Sequence, residues 1–95
     1  MNKEFLEKLE SFFINKPVIK AYLFGSVVRN ESDENSDIDL LVELDYSRPI
    51  GLGFVRMKIE LEELLDRKVD LLTSKSVSKY IQPVIDKEKV VVYER

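Results

Sequence analysis

Residues 22–42 read YLFGSVVRNESDENSDIDLLV. An apolar run ends at Phe24 and meets Gly25-Ser26. Arg29 follows about one helical turn after Ser26, residues 30–36 (NESDENS) are polar, and a second apolar run opens on Asp37-Ile38-Asp39. The pattern predicts strand, turn, short helix, loop and strand. Successive side chains on a strand point to opposite faces, so Asp37 and Asp39 share a face about 7 Å apart, while Ile38, Leu40 and Val42 take the other and can be buried. Two carboxylates at a strand mouth make half of an oxygen-rich site for a hard cation such as Mg²⁺. Gly25-Ser26 supplies the other half. Glycine lets the backbone approach a ligand, Ser26 can cap a short helix through about Asn30, and the N–H groups opening that helix favour an anion such as phosphate. Arg29 is placed to reach the same anion.

At 95 residues the chain is expected to form one domain, residues 1–95, around one core. A hydrophobic fraction of 44% and a charged fraction of 35% fit a globular protein. The net charge of −3 argues against a broad basic surface, so nucleic acid is not expected as a direct substrate. The N-terminus MNKEFLEKLE is charged throughout and no apolar run approaches the ~20 residues of a membrane span, so no signal peptide and no membrane association are expected. With no cysteine there is no disulfide or thiolate chemistry, which fits a cytoplasmic protein. Histidine is absent as well. Ser-His-Asp and Cys-His nucleophiles and zinc sites built on His or Cys are therefore excluded. Any metal must be held by oxygen, and any general base must be a carboxylate, Lys or Tyr.

Along the chain, Phe5, Leu9, Phe12 and Phe13 give residues 2–14 a helical stripe that ends before Pro17. Strands are predicted over 18–24, 37–44, 68–73 and 90–93. Glu31, Asp33 and Glu34 read as a solvated loop, with extra metal ligation the alternative. The Pro- and Gly-containing connection 45–53 is either a mobile flap over the site or a plain surface loop. Residues 52–66 carry the stripe Phe54, Met57, Leu61, Leu64 and Leu65, with a second edge at Leu52, Val55 and Ile59 that either meets a partner or is covered within the domain. A final helical stretch begins at Ser74 or Ser76, with Val77, Tyr80, Ile81, Val84 and Ile85 on one side and Pro83 interrupting it.

On the third strand Val69 and Leu71 share a face and Asp70 points the other way. If that strand lies beside the second, Asp70 joins Asp37 and Asp39. Like charges ~5 Å apart at an effective dielectric of 20 repel by about 3 kcal/mol, so such a cluster calls for cations or a raised pKa. The bland alternative is that the aspartates merely mark strand starts. A lone D-x-D is weak evidence, but strand, Gly-Ser, Arg, polar loop and D-I-D together are specific.

Gly25-Ser26, Arg29, Asp37-Ile38-Asp39 and Asp70 together resemble the signature of the DNA polymerase β-type nucleotidyltransferase superfamily. The short length makes the chain similar to the minimal nucleotidyltransferase (MNT) proteins, often the antitoxin half of HEPN–MNT pairs. The resemblance implies an α/β (α+β) fold, a mixed β-sheet flanked by helices, and nucleotidyl transfer from a Mg²⁺-bound nucleoside triphosphate, ATP by family expectation. It implies that Asp37 and Asp39 hold two metal ions, that Asp70 shares one and helps activate the attacking hydroxyl, that Gly25 and Ser26 hold the triphosphate, and that Arg29 lies near it. Many minimal members follow the arginine with glycine, whereas Asn30 stands here. Larger members carry a domain that holds the acceptor, and 95 residues leave no room for one. The expected acceptor is therefore a hydroxyl on a partner protein, a HEPN ribonuclease toxin neutralised by AMP. The alternatives are a non-catalytic antitoxin that acts by contact, and transfer to a small molecule.

Overall fold

The computed structural model describes residues 2–95. Three helices and four strands follow in the order α1 (Lys3–Ile14), β1 (Val18–Phe24), β2 (Ile38–Leu44), α2 (Gly53–Leu65), β3 (Val69–Thr73), α3 (Gln82–Glu88) and β4 (Val90–Glu94), with a single 3₁₀ turn, Gly25–Val27, after β1. The sheet runs β3-β2-β1-β4. β1 pairs antiparallel with β2 and with β4, while β2 and β3 are parallel and joined through α2. This is the mixed sheet flanked by helices that the resemblance implies.

The two sheet faces are covered unequally. Alternation sends Val18, Ala21, Leu23, Ile38, Leu40, Val42, Val69 and Leu71 to one face, where Leu9 and Phe13 of α1 and Met57 and Leu61 of α2 complete the main core. α1 starts where the Asn2 side chain accepts the Glu4 and Phe5 N–H groups at 2.7 and 3.4 Å. The opposite face carries a smaller cluster, Tyr22, Phe24 and Leu41 under Ile85 of α3. With seven residues, α3 covers only part of that face.

Four expectations change. Ser26 caps no helix: the 3₁₀ turn already starts at Gly25, with no side-chain cap. The chain then reverses through Asn30, whose φ of 59° lies in the left-handed region. Asparagine tolerates that region better than most residues, so the Asn that replaces the family's glycine keeps the turn. The connection 45–53 is no flap over the aspartates. It leaves the far end of β2, about 17 Å from Asp39 at strand rise, where Asp45 is tied to Arg95 at 2.8 Å. Within the final stretch only Ile85 is buried, because Pro83 delays the helix to Gln82, and Tyr80, Ile81 and Val84 are exposed. Finally, Leu64 is exposed and the second edge of α2 stays uncovered, with Leu52, Val55 and Ile59 at 78%, 55% and 51% exposure.

Candidate active site

β1 and β2 meet at Phe24 and Asp39, which are register partners. Asp39 is in turn the register partner of Asp70 across the parallel β2–β3 pair. Both aspartates point to the open face, since the flanking Ile38, Leu40, Val69 and Leu71 are in the main core. Asp37 stands one residue before β2 and is exposed, so it belongs to the loop end rather than to the strand as expected. Arg67 steadies that loop by donating to the carbonyls of Asp33 and Ser36 at 2.6 and 2.5 Å. Asp33 caps its own turn by accepting the Asn35 N–H and the Ser36 hydroxyl, so it serves the loop.

Gly25 lies directly against Asp39. Its φ is +78°, and a Cβ added there would sit 2.1 Å from the Asp39 Oδ2. Only glycine fits, on grounds of both backbone conformation and space. The β1–β2 register therefore presses the Gly-Ser turn onto the acidic pair, as the sequence pattern led us to expect.

The charges sense one another. The Asp39 carboxyl is pushed above its ordinary value, first by burial, then by Asp70 and Asp37, with Arg29 pulling it back. Crowded carboxylates in a site with no nitrogen or sulfur ligand are the donor set of a hard cation. Even so, no three acidic side chains among the described residues converge on one point. Asp39 and Asp70 are the pair brought together, with Asp37 at the rim.

Arg29 is not free at the turn. Its Nε donates to Glu31 at 2.9 Å and its Nη1 to both oxygens of Glu88 at 3.0 and 2.9 Å. Glu88 also accepts the Gly25 N–H at 2.8 Å. The anion already at the Gly25–Arg29 corner is thus the protein's own carboxylate. Sequence reasoning missed Glu88. It lies 63 positions from Gly25 in the chain, in a motif-free segment, and no local pattern marks it.

Residues 7–95 match the family described as Polymerase beta, Nucleotidyltransferase. The chain belongs to that nucleotidyltransferase family. A Methanocaldococcus jannaschii relative, provisionally named a protein adenylyltransferase, is 40% identical over 87 residues, which is 92% of each chain. A solved structure described provisionally as a minimal nucleotidyltransferase superposes with a TM-score of 0.78 at 30% identity, covering 93% of this chain and 89% of that one. The MNT antitoxin of Shewanella oneidensis, solved with its tri-AMPylated HEPN toxin, shares the fold at a TM-score of 0.64 and 20% identity, over 97% of this chain and 68% of that one.

Proposed function

We propose that residues 1–95 act as one minimal nucleotidyltransferase domain that moves AMP from ATP to a hydroxyl of a partner protein, and that the partner is a HEPN-type toxin which the modification neutralises. The observation that carries this reading is the contact between the Gly25 turn and the Asp39 carboxylate, beside Asp70 on an open sheet face. It sets a glycine turn and a carboxylate pair side by side. The names of the relatives point to protein adenylylation, and the HEPN-bound fold neighbour suggests the partner. ATP is a cytoplasmic nucleotide, and we place the reaction there.

In the reaction the acceptor oxygen bonds to the α-phosphorus, the bond from that phosphorus to the oxygen bridging to the β-phosphate breaks, and pyrophosphate departs. Asp37, Asp39 and Asp70 are the residues that would hold Mg²⁺, which when bound offsets charge on the attacking and leaving oxygens. Asp70, the exposed member of the pair, accepts the hydroxyl proton as the new bond forms. Ser26 and the two open Nη2 donors of Arg29 would hold the departing phosphates, while Gly25, its N–H given to Glu88, sets the turn they rest on. The open face leaves the acceptor room to approach from outside.

The test combines ATP labelled at the α-phosphate with the product of the neighbouring gene, using γ-labelled ATP as the control. A protein band labelled by α-label alone, and lost in Asp39→Ala, is the expected result. The exposed α2 edge at Leu52, Val55 and Ile59 favours a second reading, neutralisation by contact alone. Tight partner binding by wild type and Asp39→Ala alike, with no label transferred, would establish it.

A further inference from the structure

Three segments converge on one carboxylate: the end of β1 through the Gly25 N–H, the turn through Arg29, and α3 through Glu88 itself. We propose that Glu88 is a positioning residue, which fixes the Gly25 turn and aims the Arg29 guanidinium so that the phosphates of the nucleotide meet a preset corner. The proposal rests on the nucleotidyl-transfer reading above.

Donor accounting shows what the arrangement leaves available. A guanidinium has five N–H donors. Nε serves Glu31 and Nη1 serves Glu88, while the two Nη2 donors have no partner among the described residues. Arg29 can therefore stay braced and still present a pair of donors to a phosphate. Without the brace, a long side chain that is 46% exposed would sample many rotamers. Glu88, at 19% exposure, is the better-anchored partner. Three residues before it, Ile85 is buried against the cluster of Tyr22, Phe24 and Leu41, which holds the end of α3 in place. The Glu88 carboxyl is held below its usual range by Arg29 first and the Gly25 N–H second, as expected of bonds made to the ionised form.

The opposite possibility is that Glu88 competes with the nucleotide for the corner, and the two differ in sign. A brace makes ATP binding weaker when removed; a competitor makes it stronger. Ile85 fixes the backbone beneath Glu88, and a nucleotide that turned the carboxylate away would have to break its bonds to both Gly25 and Arg29, which favours the brace.

The experiment is a calorimetric titration with an ATP analogue carrying a methylene between the α- and β-phosphorus, in the presence of Mg²⁺, on wild type, Glu88→Ala, Glu88→Gln, Arg29→Ala and the Glu88→Ala/Arg29→Ala double variant. Glu88→Ala and Arg29→Ala should each weaken binding about tenfold, the size of one charge-assisted hydrogen bond at a half-exposed site. The double variant should lose less than the sum of the two single losses, because Glu88 acts in part through Arg29 and in part through the Gly25 turn. Glu88→Gln, which keeps an acceptor for Gly25 but loses the charge, should fall between. Affinity equal to or above wild type in Glu88→Ala, with or without a lowered Tm, overturns the proposal, as do additive losses in the double variant. Should Glu88→Ala fail to fold, Glu88→Gln is read by the same rule. Wild type that binds no nucleotide overturns both the nucleotidyl-transfer reading and the brace. Wild type that binds and transfers, with Glu88→Ala unchanged, overturns the brace alone.

Discussion

Replacing Asp39 by asparagine should stabilise the fold at neutral pH while ending adenylyl transfer. Asp39 faces Asp70 in register, with Asp37 two residues before it. At ~5 Å and an effective dielectric of 20, one such pair repels by about 3 kcal/mol. Asp70 is exposed, so water and salt screen the pair, and Arg29 opposes the repulsion. About 1 kcal/mol of net relief is the reasonable remainder. For a domain of this size that corresponds to a Tm gain of about 4–8 °C. The pH dependence follows from the direction of the shift. The folded-state pKa lies above the ordinary 3.8, so the unfolded chain ionises first as pH rises. Ionisation therefore penalises folding progressively above that pH, and the penalty is complete once the folded-state value is passed. The advantage of Asp39→Asn should be full at pH 7 and vanish below about 3.8. Mg²⁺ should raise the Tm of wild type and leave that of Asp39→Asn nearly unchanged. The assay is a set of circular-dichroism melts at pH 3 and pH 7, with chelator and with Mg²⁺. An Asp39→Asn protein with a native spectrum that melts at or below wild type at pH 7 would refute the claim that these carboxylates crowd one another.

Other substitutions probe the scaffold of the site. Gly25→Ala puts a methyl 2.1 Å from the Asp39 Oδ2 at a φ of +78°; it should cost about 1–2 kcal/mol from backbone conformation alone and, by displacing Asp39, lower transfer about 100-fold, both read by melts and labelling on one preparation. Asn30→Gly should leave stability within about 1 kcal/mol of wild type, whereas Asn30→Val, β-branched at a φ of 59°, should lose more than about 2 kcal/mol in denaturant unfolding. Asp45 is held at about 2, by Arg95 first and then Ser47. A lowered value stabilises above the ordinary 3.8 and is lost as pH falls through about 2, so the Tm deficit of Asp45→Asn should be constant near neutrality and close in that acid window.

Much of the site was legible because its logic is local. A period of two put Asp39 opposite Ile38 and Leu40 in facing direction, and the same period on β3 turned Asp70 away from Val69 and Leu71. The zero counts of His and Cys confined metal chemistry to carboxylates. The sequence pattern places the Gly-Ser turn beside the acids, as the structure has it, but the turn is 3₁₀ and uncapped where the pattern predicts a helix capped by Ser26. Helical periodicity found the buried stripes of α1 and α2, yet it overestimated how much of the final stretch would be covered.

Sequence alone therefore determined the elements, their buried faces and the residue types able to bind a cation and a phosphate, since these follow from periodicity and side-chain chemistry over a few residues. Tertiary structure decided which strands are neighbours: the parallel β2–β3 pairing within the β3-β2-β1-β4 order makes Asp70 the partner of Asp39. It decided that the connection 45–53 lies at the end of β2 away from the acids, and that the α2 edge has no cover among the described residues. It also brought Glu88 to Gly25 and Arg29. Each of these depends on contacts between segments far apart in the chain, and no repeat distance along a sequence records which distant segment the packing of the core will bring alongside.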